Sequence, residues 1–137
     1  MTALPDSVTA LPDSAKALLD APEMATVATL EPDGQPQLSV VWVKRDGDEI
    51  LFSTTRGRRK SANLERSPQI SVLMYPQANP YCYLEVRGTA EVVDDPQADL
   101  IQELSHKYTG RPYPPLPAGE ERVIVRVTPH KVLWRGE

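Results

Sequence analysis

Five basic side chains fall within eleven residues, Arg56, Arg58, Arg59, Lys60 and Arg66, and Glu65 is the only acid among them. The window therefore carries +4 in a chain whose formal charge is −4, leaving −8 on the remainder. Cations at that density suit a phosphate or another multiply charged anion, since charge-assisted hydrogen bonds are roughly twice as strong as neutral ones. Ser53, Thr54 and Thr55 add three hydroxyl donors directly ahead of them. The same cluster can also be read as a solvated helix face. Two features favour the anion: cations near a helix N-terminus oppose the macrodipole, a cost that an anion relieves, and no acidic run lies three or four residues away to pair with them.

Other chemistry is sparse. Cys82 is the only cysteine, so no intramolecular disulfide forms, and between two tyrosines it reads as a small buried apolar residue. His106 and His130 have no ligand-type neighbours, so no metal is expected. His106 reads as a surface or packed histidine, and a structural role is favoured for His130, which lies near Trp134. There is no G-x-S-x-G elbow, no G-x-G-x-x-G fingerprint and no P-loop. No side chain is assigned as a catalytic acid, base or nucleophile.

The elements that must carry the cluster can be read from pattern. TALPDS occurs at 2–7 and again at 9–14, and residues 1–13 are expected to be a flexible arm ahead of a single domain over 14–137. A short helix is predicted from Ser14 to Leu19, stopped by Pro22. Strands are predicted over 24–31, 37–45 and 49–55, joined by turns at Gly34 and Gly47 into a meander. Alternation then stops, and a helix over 58–65 carries the basic cluster until Pro68 ends it. Strands over 69–75 and 81–93 follow, the second bending at Gly88. A helix over 99–108 puts Leu100, Ile101 and Leu104 on one face, a proline-loaded loop spans 110–119, and a last strand over 121–128 extends or bends into 131–134. Six strands with hairpin connections and short helices imply a mainly β, antiparallel barrel whose closure leaves no exposed edge.

With 137 residues, 40% hydrophobic and 25% charged, the chain fits one globular domain. It has no apolar run of the roughly 18 residues a membrane span needs, and no basic, apolar and small-residue succession of an export signal, so a cytoplasmic location is expected. The acidic balance argues against a nucleic-acid partner.

The stretch FSTTRGRRKSANLERSPQISVLMY at 52–75 resembles the phosphate-binding segment of the pyridoxamine 5′-phosphate oxidase-like, flavin-binding split barrels. TVATLEPDGQPQLSVVWV at 26–43 is similar to that family's opening hairpin, and PHKVLW at 129–134 to its closing strand. The resemblance implies a six-stranded antiparallel split β-barrel forming a homodimer, with two cofactor sites at the subunit interface. It also implies that Arg59 and Lys60 hold the cofactor's phosphate, that Ser53 and Thr54 lie at the strand end beside it, with the Thr55 hydroxyl next in line as a further expected cofactor contact, and that the strand through Gln37, Ser39 and Val41 runs along the ring. Trp134 matches an aromatic approaching from the last strand. Arg58 and Tyr81 match a second basic residue and a ring-side aromatic of the branch that binds the deazaflavin coenzyme F420.

Pyridoxamine phosphate oxidases continue after this Trp into an Arg-x-His-x-Arg segment, whereas this sequence closes at Glu137, so the vitamin site is expected to be absent. Extra arginines at 56, 58 and 66, offered as partners for the phosphodiester and oligoglutamate tail, favour F420 over FMN. The activity implied is hydride transfer between bound F420 and a small, electron-poor organic substrate. An FMN-dependent oxidoreductase of the same fold and a non-catalytic F420 carrier stay open as alternatives.

Overall fold

The computed structural model describes residues 2–3 and 10–136. In chain order the elements are β1 (Thr2–Ala3), α1 (Asp13–Asp20), β2 (Ala25–Leu30), β3 (Pro36–Val41), β4 (Lys44–Asp46), β5 (Glu49–Thr55), α2 (Arg59–Arg66), β6 (Gln69–Met74), β7 (Tyr83–Asp94), α3 (Asp99–Thr109) and β8 (Arg122–Arg135). No helix among the described residues is long and apolar enough to cross a membrane.

All strand pairs are antiparallel, in the order β3-β2-β6-β7-β8-β5-β4, with β1 added against β8. The strand predicted over 37–45 is two strands. It breaks at Trp42 and Val43, and its halves stand at opposite ends of the sheet: β3 pairs with β2, β4 with β5. The expected three-strand meander is therefore replaced by a rolled sheet whose two ends are joined by chain, not by a hydrogen-bonded ladder. The expected closure without edges does not occur. Alternation conceals the break, because Val41 and Val43 are buried while Trp42 between them is half-buried, as in an uninterrupted strand. Eight strands are described instead of six, through this division and the two-residue β1.

Two long strands bend the sheet. β7 and β8 pair over most of their length, with an irregularity between Arg87 and Gly88, whose partners Lys131 and Pro129 are separated by His130. A Cβ on Gly88 would lie 2.1 Å from the Thr128 carbonyl oxygen, so only glycine fits this crossing. Inside the roll, Phe52, Ile50, Val27, Val72, Met74, Leu84, Val86, Val125 and Val127 form one core with Leu18 and Leu19 of α1. Alternation along β8 buries Val123, Val125 and Val127 and turns Arg122, Ile124 and Arg126 to the other face.

On that outer face α3 packs over β5, where Leu51, Leu100 and Leu104 meet Trp42, Tyr108 and Ile124. The start of α3 is set by Asp95, whose carboxylate accepts from the Asp99 and Leu100 amides at 3.1 and 3.0 Å and supplies the acceptor that a helix N-terminus lacks. Helix α2 is seated through buried Asn63, which donates to Thr29 Oγ1 at 3.0 Å; Thr29 in turn donates to Gln37 Oε1. Most of the arm expected over residues 1–13 lies outside the described residues. Its end does not behave as an arm: Leu11 is buried in the core and donates its amide to Asp48, and α1 begins at Asp13.

Candidate functional site

The loop from β5 into α2 turns at Gly57, whose φ of 89° favours a residue without a Cβ. That turn sends Arg58 and Lys60 back across the end of β5. They face a cleft of about 300 Å³ lined also by Ser53 and Thr54 of β5, Arg122 of β8, Met24, Val40, Val41 and Trp42 near the seam, Ile101 and Leu104 of α3, and Tyr113. One side is cationic and hydroxylic, the other apolar and aromatic.

The basic cluster is divided by its partners. Arg56 is held by Glu65 at 2.8 Å, by Glu121 at 3.5 Å and by Asp94. Arg66 bonds the Leu30 carbonyl and Asn63 Oδ1. Arg59 closes on Glu31 at 2.8 Å and lines a separate hollow that also contains Gln37. The partners missing from the local sequence are thus supplied by Glu31 just past β2, Asp94 at the end of β7 and Glu121 just ahead of β8. Arg58 bonds only a hydroxyl, Thr55 Oγ1 at 3.2 Å, and neither it nor Lys60 has a carboxylate in ion-pair contact among the described residues.

Arg122 is the third cation of the cleft, and sequence reasoning missed it. It is 8% exposed, its Nη2 donates to the Tyr113 hydroxyl at 3.2 Å and meets Glu120 at 3.4 Å, and its Nη1 reaches Ser53 Oγ at 3.4 Å. Its Nε and the Thr54 Oγ1 are buried without a hydrogen-bond partner. Burial and the charges of Arg58 and Arg122 lower the Lys60 pKa below the ordinary lysine value, burial contributing most. Unsatisfied buried polar atoms beside concentrated positive charge are costly. An anion would relieve both.

The structure thus brings together Val41, Ser53, Thr54, Arg58 and Lys60 of the predicted site residues, with Thr55 bonded to Arg58. It does not bring in Arg59 or Gln37. Ser39 Oγ is buried and unpartnered on β3 but does not line the cleft. Tyr81 is 70% exposed and precedes β7, outside the cleft. Trp134 packs against the barrel core, opposite Leu84 in the β7 ladder. His130 bonds Thr89 across another hollow, and Cys82 is half-buried. Trp42, read from sequence as an ordinary strand residue, lies in the cleft wall stacked on Tyr108 at 5.4 Å, with Tyr113 edge-on at 6.5 Å. A signal for Arg122 was present: it begins the alternation of ERVIVRVT on the face opposite the three buried valines.

Comparison with known proteins adds the context. The sequence model described as pyridoxamine 5′-phosphate oxidase matches residues 11–134. Among curated proteins, a pyridoxine/pyridoxamine 5′-phosphate oxidase of Proteus mirabilis is 36% identical over 73 residues, covering 51% of this chain and 32% of that protein. The match therefore spans about a third of the curated relative's length. Among solved structures, an F420 reductase superposes with a TM-score of 0.81 at 34% identity, over 90% of this chain and 98% of the other. A conserved hypothetical protein of Mycobacterium tuberculosis gives 0.71 at 26% identity, over 91% and 85%. The split-barrel fold, mainly β with short helices, is common to these chains.

Proposed function

Because the chain belongs to the pyridoxamine 5′-phosphate oxidase family, whose pattern it carries from residue 11 to residue 134, we propose that its cleft binds the phosphorylated end of a flavin-type coenzyme for hydride transfer to a small, electron-poor organic substrate. The carrying observation is the convergence of Arg58, Lys60 and Arg122 on one cleft, with the Thr54 hydroxyl and the Arg122 Nε buried and unpartnered there. These groups fit a phosphoryl group, and the wall of Met24, Val40, Trp42, Ile101 and Leu104 fits a flat, largely apolar ring system.

A flavin or deazaflavin, when bound, supplies the hydride chemistry, while the protein contributes position and electrostatics. The three cations anchor one end of the coenzyme and fix its register along the cleft. The apolar wall keeps water from one side. The titratable side chains of the lining are Arg58, Lys60, Arg122 and Tyr113, so it holds no carboxylate or imidazole to relay a proton.

Coenzyme F420 is the favoured occupant, supported by the likeness to an F420 reductase over nearly the whole of both chains. FMN is the second reading, and a specific observation favours it. Arg56 and Arg66, which counted toward a long anionic tail, are tied to internal partners, and three cations suffice for one phosphate. Titration against F420 and FMN side by side separates the two: micromolar binding of F420 with weak FMN binding supports the first, and a protein isolated yellow with flavin absorbance supports the second. A carrier role is tested by single-turnover oxidation of bound reduced coenzyme with quinones and enones.

We also propose a homodimer. Leu38 and Val40 are 63% and 64% exposed, and Met24, Leu73 and Tyr75 extend the same apolar face. Val40 and Met24 belong to the cleft as well, so a second copy seated on this face would complete a site that is small for a whole coenzyme.

A further inference from the structure

Three polar side chains on α3, Gln102, Ser105 and Thr109, tie the proline-rich segment 110–119 to the helix. Ser105 Oγ donates to the Arg111 carbonyl at 2.7 Å, and Thr109 Oγ1 accepts from the Arg111 amide at 3.1 Å. Gln102 makes the most directional contact. Its Oε1 accepts the Tyr113 amide at 3.0 Å and its Nε2 donates to the Tyr113 carbonyl at 3.2 Å, so one side-chain amide grips both backbone groups of one residue. The proline-rich segment supplies few amides of its own to hold it in place.

What is gripped matters for the cleft. The Tyr113 hydroxyl accepts from Arg122 Nη2, and the Arg122 guanidinium lies over the Tyr113 ring, 5.3 Å from its centroid. Tyr113 also stands edge-on to Trp42. Displacing its backbone would move a hydrogen bond, a cation–π contact and an aromatic edge together.

We propose that Gln102, which does not itself line the cleft, is a positioning residue: it fixes Tyr113, and through Tyr113 orients Arg122 toward the bound anion. This rests on the coenzyme reading given above. The segment 110–119 is then a fixed wall at Tyr113, clamped from α3, and ligand affinity depends on a residue that makes no ligand contact.

The test titrates F420 and FMN against wild type, Gln102→Ala, Tyr113→Phe, Arg122→Met and the Gln102→Ala/Arg122→Met double variant. Acrylamide quenching of Trp42 is followed alongside in a Trp134→Phe background. Gln102→Ala should weaken coenzyme binding roughly tenfold, raise Trp42 quenching about twofold, and cause almost no additional loss once Arg122 is gone, because residues acting in series are not additive. Tyr113→Phe should reproduce part of the loss with quenching unchanged. A Gln102→Ala protein with wild-type affinity, or losses that multiply in full in the double variant, overturns the proposal. Failure of wild type to bind either coenzyme removes the functional reading instead. The quenching arm then decides alone, and an unchanged value for Gln102→Ala overturns the link to Tyr113.

Discussion

Arg59 and Lys60 are neighbours in the first turn of α2 and serve opposite ends: Arg59 closes on Glu31 at 2.8 Å, while Lys60 turns into the cleft beside Arg58 and Arg122. The helical step of about 100° between successive residues separates them. A pair that reads in sequence as one phosphate grip is, in the fold, one structural ion pair and one ligand-facing cation.

Lys60→Ala and Arg58→Ala should each weaken coenzyme binding by about 1.5 to 3 kcal/mol, the range for hydrogen bonds to charged groups. Arg59→Ala should change it by less than about 0.5 kcal/mol, since an exposed ion pair contributes little. Isothermal titration of the three variants checks the ranking, and equal losses for Arg59 and Lys60 would refute the division.

Affinity should depend on pH through Lys60. Burial and neighbouring cations lower its pKa in the free protein, and a bound anion would raise it again. A group whose pKa rises on binding takes up a proton, so affinity is full below the free-protein pKa and declines as pH climbs through it. The decline should begin below the ordinary lysine range and be absent in Lys60→Arg, whose guanidinium stays charged. Titrations from neutral to alkaline pH provide the measurement.

Gly88→Ala should destabilise the fold by about 3 kcal/mol, the upper part of the usual overpacking range, because both chains at the contact are backbone. The added methyl would collide with the Thr128 carbonyl at 2.1 Å. Urea denaturation reads the loss; a midpoint within error of wild type would mean that the β7–β8 crossing relaxes freely.

Leu38→Asp and Val40→Asp should shift the protein from dimer to monomer by placing an unpaired charge within the proposed contact face. Sedimentation velocity reads the mass, and coenzyme affinity should fall in parallel. A wild-type protein that sediments as a monomer would end the homodimer proposal.

Much of the fold was legible because it rests on local rules. Turns at Gly34 and Gly47, the α2 and α3 segments and the bend at Gly88 follow from glycine placement and periodicity. The break at Trp42 was not legible, since burial alternates straight through it and only the hydrogen-bond partner changes. For the site, residue type singled out Arg58, Lys60, Ser53 and Thr54, which the fold gathers around one cleft. Most of the pairing could not be read: Asp94 and Glu121, which join Glu65 on Arg56, and Glu31, which holds Arg59, lie far away in sequence, as do Arg122 and Tyr113, which complete the cleft.

The seam between β3 and β4 sets a mechanical limit. Val41 and Lys44 end the two outermost strands of the sheet's path and are joined by only three peptide steps, which reach at most about 11 Å when fully extended. The roll can therefore loosen along this line, where no ladder resists, but it cannot unroll. Trp42 rides on that leash, so any widening of the cleft mouth is coupled to the excursion of one ring and bounded by the length of its tether.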